Sequence, residues 1–108
     1  MVVAAPPPDS AVTGCFAADL MSDVLAFARP GSILLTGLAT DQTIRTAAVR
    51  HLVAVGVGEG KQVSADMLEA AHEEGIPLFR TSLSTYEACG LLMRAGLRPY
   101  SQGVTPPA

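Results

Sequence analysis

Short apolar segments alternate along the chain with segments of helical periodicity. Residues 32–36, with Ile-Leu-Leu at the centre, and the wholly apolar residues 52–55 are predicted as strands buried on both faces. Between them, residues 40–50 carry apolar side chains at helical spacing, and the glycine-rich residues 56–60 follow the second strand. A strand, helix, strand unit of about 30 residues predicts parallel pairing through a right-handed crossover.

The flanking sequence extends this pattern on both sides. Residues 12–16 predict a first strand and residues 77–80 a fourth. Three further helices have their own start and stop signals. The first begins at the cap Asp19 and is expected to bury Leu20, Val24, Phe27 and Ala28. The second lies between Ser64 and Gly75 and is expected to bury Met67, Ala70 and Ala71. The third begins with the capping box 84–87 and is expected to bury Leu91, Leu92 and Ala95.

Four strand–helix repeats predict one α/β domain over residues 11–98. We expect three layers, with a four-stranded, mainly parallel sheet and helices on both faces. In the helix of residues 40–50, Thr40 or Asp41 is the expected cap, Ile44, Ala47 and Ala48 point inward, and Thr43, Arg45 and Arg50 face water. Residues 1–10, which include three consecutive prolines, predict a flexible leader, and residues 99–108 a disordered tail.

Composition narrows the function classes. Of the 108 residues, 49% are hydrophobic but only 5% aromatic, so the core is expected to be aliphatic. Charged residues make up 16%, against roughly 25% in typical soluble domains, which favours a surface partly covered by a partner, in a homodimer or a larger complex. A net charge of -3 without a basic stripe argues against nucleic acid. With neither a membrane span nor a signal peptide in the sequence, we expect a cytoplasmic protein.

Cys15 and Cys89 are too few for a disulfide scaffold or a zinc site. We interpret both as reduced, buried thiols and expect no metal and no cofactor. His51 and His72 have no Ser, Cys or metal partner nearby in sequence, so structural roles are expected for both.

Parallel strands bring four loops to one carboxyl edge, where helix N-termini offer backbone donors to an anion. The candidate ligand-binding residues lie in these loops. They are Asp19, Thr40, Asp41, Gly58, Gly60, Arg80, Thr81, Ser82 and Ser84.

Other interpretations of the same residues stay open. Gly60-Lys61 is followed by Gln62, so the hydroxyl of a phosphate-binding P-loop is missing, and the glycine spacing is one residue short of the dinucleotide fingerprint. We interpret the glycines first as a tight connection between a strand and the helix that follows it. Likewise, an alternative interpretation is that Ser84 serves only as a helix cap and that the neighbouring polar side chains simply face solvent in the loop.

Three segments resemble the stand-alone DRTGG-domain proteins over about residues 12–98. They are residues 13–26, with the motif Asp-Leu-Met-Ser-Asp-Val at 19–24, residues 30–32, and residues 75–78 with 84–90. The resemblance implies a small α/β domain similar to the N-terminal domain of HPr kinase, without that enzyme's catalytic domain, and found among genes for iron hydrogenases and related redox complexes. At the residues that name the family, Asp41 is kept, Gln42 replaces Arg, and residues 58–60 read Gly-Glu-Gly instead of Thr-Gly-Gly.

The sequence therefore predicts a non-catalytic regulatory or ligand-binding module that senses a nucleotide or another anionic metabolite. The alternative is a structural accessory subunit of a redox, hydrogenase-type complex. A phosphotransfer or acyltransfer enzyme would need Ser82 or Ser84 as nucleophile, and no general base for it is evident in the sequence.

Overall fold

The computed structural model of the protein describes residues 12–97. Within this range four strands alternate with four helices. Their bounds are β1 Gly14–Ala17, α1 Met21–Phe27, β2 Ser32–Thr36, α2 Asp41–Val49, β3 Ala54–Val57, α3 Ala65–Glu74, β4 Leu78–Arg80 and α4 Thr85–Arg94. The predicted leader, 1–10, and the predicted tail, 99–108, lie outside the described residues.

The strands form one sheet in the order β1-β2-β3-β4, and each neighbouring pair is parallel. Right-handed crossovers that always step to the next strand on the same side place α1, α2 and α3 on one face. The last helix, α4, folds back over the other face and packs against β1 and β2. The predicted three-layer α/β fold is confirmed, and the sheet is wholly parallel over the described residues.

The two faces of the sheet bury unequal cores. Successive side chains of a strand point to opposite faces, so Leu34 lies beneath α1, α2 and α3, whereas Ile33 and Leu35 lie beneath α4. Among the described residues, fourteen are buried in the three-helix core and four in the core beneath α4. The helix that covers the smaller core is therefore attached by the least apolar burial.

The prediction for α1 was wrong at its start and for two of the four residues of its buried face. The N-cap is Leu20, not Asp19, and the helix ends at Phe27. Met21, Val24 and Ala28 are buried, while Leu20 and Phe27 are exposed. This short helix covers the edge of the sheet, so only one narrow stripe of its surface meets the core.

Two strands are shifted from their predicted positions. The first begins at Gly14 instead of Val12, and β3 begins at Ala54 and ends at Val57. Gly56 thus lies inside β3, paired with Leu35 and Phe79, and does not belong to the loop. The predicted glycine loop is shortened accordingly.

Tertiary packing also overrides two predictions for α2. Ile44 and Ala47 are buried and Arg45 is exposed, as predicted. Thr43, however, is fully buried, and its hydroxyl is satisfied there by donating to the carbonyl of Leu38 at 2.8 Å. Arg50 is half-buried and donates to the carbonyl of Ala28, with Nη2 at 2.6 Å.

The two remaining helices differ in how well their faces were predicted. In α3, the three residues expected to be buried are buried. In α4, Ala88 is buried and Leu92 half-buried, whereas Leu91 and Ala95 are exposed, so that prediction was wrong for two of three residues. No other described helix packs beside α4 on its face of the sheet, so only one side of it is covered.

Among residues 12–97, no helix is long and apolar enough to cross a bilayer.

Candidate functional site

The carboxyl ends of the four strands meet at one edge of the sheet. Residues 18–20, 37–40, 58–64 and 81–84 connect these ends to the following helices. The loop after β3 contacts the loop after β4 through a hydrogen bond in which the amide of Gly60 donates to the carbonyl of Thr81 at 2.8 Å. The predicted loops therefore lie on the same edge, where ligands bind in open α/β sheets.

Asp19 links the exits of β1 and β2. Its Oδ1 accepts from the amide of Gly37 at 2.7 Å and from the hydroxyl of Thr36 at 3.2 Å. The Thr36 hydroxyl in turn accepts from the amide of Leu38 at 3.1 Å. The carboxylate thus supports the β2 loop by charge-assisted hydrogen bonds instead of capping α1.

Lys61 is a site residue that the sequence did not suggest. Its Nζ donates to the carbonyl of Gly37 at 3.0 Å, so that Gly37 is held by Asp19 on its amide and by Lys61 on its carbonyl. A Cβ at Gly37 would lie 3.1 Å from this Nζ and 3.4 Å from Asp19 Oδ1. The one signal in the sequence was that the only lysine of the chain directly follows the glycine loop.

The backbone donors of the glycine loop bind the chain itself. The amide of Gly58 donates to the carbonyl of Thr36 at 3.1 Å, and that of Glu59 to the carbonyl of Leu83 at 2.7 Å. Glu59 and Gly60 have φ of 63° and 65°, and the Lys61 amide donates to the Gly58 carbonyl at 3.4 Å. This is the geometry of a type I′ turn, so the loop acts as a tight connection.

A pocket of about 450 Å³ opens beside this turn at the exits of β3 and β4. It is lined by Gly60, Gln62, Arg80, Thr81 and Ser82. Arg80 and Thr81 are half-buried, and Ser82 is exposed. Four of the nine predicted site residues are therefore brought together around one concave surface, with a guanidinium, an amide and two hydroxyls.

The other predicted residues lie on the same edge but have different contacts. Among the described residues, Thr40 and Asp41 do not line this pocket. Thr40 is the N-cap of α2, yet its Oγ1 is buried and makes no hydrogen bond. Asp41 forms an ion pair with Arg45 at 3.7 Å, and Arg45 forms a second ion pair with Glu73 at 3.8 Å.

Ser84 is engaged in the predicted capping box of α4. Its Oγ accepts from the amide of Glu87 at 3.2 Å, and Glu87 Oε1 accepts from the Ser84 amide at 3.1 Å and hydroxyl at 3.0 Å. The bond from the Ser84 amide, followed by that from its hydroxyl, lowers the pKa of the Glu87 carboxyl below its ordinary value of 4.5. The Ser84 hydroxyl thus serves the helix start.

A second concave surface lies on the outer side of α4 and is mainly apolar. This α4 groove, of about 570 Å³, is lined by Leu83, Tyr86, Glu87, Cys89, Gly90, Leu91, Met93 and Arg94. Tyr86 is 88% exposed, Leu91 53% and Met93 63%. Large apolar side chains that are exposed around one groove are typical of a protein contact surface.

Within residues 12–97, no three His, Cys, Asp or Glu side chains are grouped closely enough to hold a metal ion. Comparison with known proteins adds no assignment. No protein-family model matches the chain, and no curated protein is similar to it. The resemblance to DRTGG-domain proteins therefore stays a prediction.

Proposed function

We propose that the protein is a non-catalytic regulatory module that binds a small anionic ligand, such as a nucleotide or an acyl phosphate, at the carboxyl edge of its sheet. The observation that carries this proposal is the pocket lined by Gln62, Arg80, Thr81 and Ser82. A guanidinium beside hydroxyl and amide donors suits a phosphate or carboxylate group. Because the backbone donors of the glycine turn are used internally, side chains supply the contacts.

The positions of the possible catalytic groups support a non-catalytic role. The Ser84 hydroxyl is hydrogen-bonded in the capping box. His51 precedes β3 and its carbonyl accepts from the Gly31 amide, whereas His72 lies in the last turn of α3, before β4. Both histidines thus lie toward the amino ends of the strands, away from Ser82, where a general base would be needed.

Calorimetric titration of the full chain with ATP, ADP, acetyl phosphate and inorganic phosphate tests the proposal. We expect heat with at least one of these, and affinity at least about tenfold lower in Arg80→Ala, because a charge-assisted hydrogen bond is lost. Ser82→Asp places a negative charge in the pocket and is expected to abolish binding. Arg94→Ala is the matched control, because it removes an arginine at the far end of α4.

The controls distinguish the proposed pocket from general attraction of anions. Thermal unfolding of each variant first establishes that the fold is retained. An equal loss of affinity in Arg94→Ala and Arg80→Ala would show that the chain attracts anions without using this pocket. No heat with any of the four compounds would remove nucleotides and acyl phosphates as ligands.

A second candidate function is supported by the α4 groove. Its apolar residues suit another protein surface, either a second copy of the chain or a larger subunit. In this function the protein is an accessory subunit, as in the redox complexes that the resemblance implies. The two functions use different residues, since no described residue that lines the pocket also lines the α4 groove, so one chain can carry both.

A further inference from the structure

Two thiols meet between the sheet and α4. Cys15 lies on β1 and Cys89 on α4, one residue after the buried Ala88, and both pack in the small core beneath this helix. Both are free, as predicted, but they are half-buried instead of buried. Because α4 packs against β1, the two thiols lie in the same core between them. They are the only cysteines of the chain, so each has one possible partner within the molecule.

The two sulfur atoms have different environments. Burial, followed by the negative charge of an ionised Cys89 and the hydrogen bond to it, raises the pKa of Cys15 to about 12. Cys15 is therefore a thiol at neutral pH. Cys89 also lines the open α4 groove beside Gly90, which has no side chain to cover it. A small reagent can reach Cys89 from this groove.

We propose that Cys15 and Cys89 are a reversible dithiol–disulfide site that cross-links β1 to α4 in response to low-molecular-weight disulfides. The Cys89 thiolate attacks one sulfur of the small disulfide, and the other sulfur leaves as a thiolate. Cys15 then loses its proton and attacks Cys89, which expels the second small thiolate. In sum, two protein thiols are oxidised to one disulfide, and one small disulfide is reduced to two thiols that take up the two protons.

Both steps suit the geometry. Once Cys89 carries the mixed disulfide, its negative charge is gone, so the charge repulsion that opposed ionisation of Cys15 disappears. Cys15 packs in the same small core as Cys89, so the resolving sulfur already lies on the strand that α4 covers. The reactive order is therefore fixed: the sulfur at the groove reacts first and the sulfur at the sheet resolves the intermediate.

The cross-link would act on the described helix with the fewest buried residues. Of the ten residues of α4, only Ala88 is buried. A helix with so little burial opens locally more easily than the helices of the larger core. A bond from its middle to β1 prevents that opening. The oxidation state of the pair thus sets how firmly α4, and the α4 groove with it, is held against the sheet.

The experiment equilibrates the full chain with mixtures of glutathione and glutathione disulfide, then blocks the remaining thiols with iodoacetamide. Trypsin releases Cys15 within residues 1–45, because the Arg29-Pro30 bond resists cleavage, and Cys89 within residues 81–94. We expect these two peptides linked in a monomer, with the mass of two hydrogen atoms lost and restored by dithiothreitol. Oxidation should slow amide hydrogen exchange in α4 but not in α2, and raise the thermal midpoint by on the order of 10 °C.

Single-thiol variants test the order of reaction. Cys15→Ala retains the thiol at the groove and is expected to accumulate the mixed disulfide with glutathione. Cys89→Ala retains the covered thiol and is expected to react at least about tenfold more slowly. Full alkylation of both cysteines after oxidation, or disulfides only between chains, would overturn the proposal. The wild-type peptide map decides this even where a variant fails to fold.

Discussion

At the scale of single residues, Gly56 shows how little space the smaller core leaves. It lies in the middle of β3, and a Cβ there would lie 2.5 Å from Phe79 Cε2 and 2.7 Å from Leu35 Cδ2. Both neighbours belong to the core beneath α4, so they cannot move freely. We expect Gly56→Ala to lower the free energy of unfolding by about 1–3 kcal/mol, measured by urea denaturation.

Gly90 provides the matched control for this substitution. It lies in the interior of α4, and no atom would be within 4 Å of an added Cβ. Gly90→Ala is therefore expected to stabilise the protein by about 0.5–1 kcal/mol, because alanine loses less backbone entropy in a helix. If Gly56→Ala stabilised the protein as Gly90→Ala does, Phe79 would not pack over β3 as described.

Asp19 was correctly placed at the carboxyl edge of the sheet, but its structural role was predicted wrongly. A carboxylate just before an apolar helix is typical of an N-cap, and that rule uses only neighbours in sequence. The partners that Asp19 has, Thr36 and the amide of Gly37, come from the next strand. Lys61 was missed for the same reason, since its acceptor lies 24 residues away. Strand order predicts which loops meet, but not which side chains cross between them.

At the scale of elements, the sequence predicted best what is decided locally. Ser64 accepts from the Met67 amide at 3.1 Å, and Gly75 ends α3 with φ of 66°, both as predicted. The buried face of α4 was mispredicted because a solitary helix on a sheet needs a narrower apolar stripe than a helix between neighbours. Caps depend on four or five consecutive residues, whereas buried faces depend on what packs beside the helix.

The capping box of α4 should give the protein a measurable sensitivity to acid. The pKa of Glu87 is lowered in the folded state by the Ser84 amide and hydroxyl, so the ionised carboxylate stabilises the fold above pH 4.5. This contribution is lost as the pH falls through the lower folded pKa. We expect Glu87→Gln to be less stable than the wild type at neutral pH, and the difference to shrink as the pH falls below 4.5.

Urea denaturation between neutral pH and pH 3 measures this difference, and Glu69→Gln is the control. Glu69 is an exposed carboxylate in the interior of α3, outside any capping box. Its substitution is expected to change stability little, since exposed positions without specific contacts usually tolerate replacement. A stability difference for Glu87→Gln that stayed constant over this range would mean that the charge of Glu87 does not strengthen the capping box.

At the scale of the whole molecule, the repeat pattern was sufficient for the fold class and for the edge where the loops meet. Four strand–helix repeats and the right-handed crossover rule leave few topologies. The unequal layers were not predicted, because the periodicity of α4 does not say which face of the sheet it covers. The pocket could be predicted as a region, since Arg80, Thr81 and Ser82 follow one strand. Thr40 and Asp41 do not line this pocket, and this could not be predicted because it depends on packing at the start of α2.

The uneven covering of the sheet leads to a prediction about assembly. Tyr86, Leu91 and Met93 are exposed together on α4, and removing such apolar side chains from water is what stabilises protein contacts. We expect sedimentation of the wild type at rising concentration to reveal a dimer, which Met93→Glu weakens at least about tenfold by burying a charge. Val49→Glu, at an exposed apolar residue on α2 in the opposite layer, should not weaken it. A wild type that stays monomeric throughout would leave this surface for a different protein.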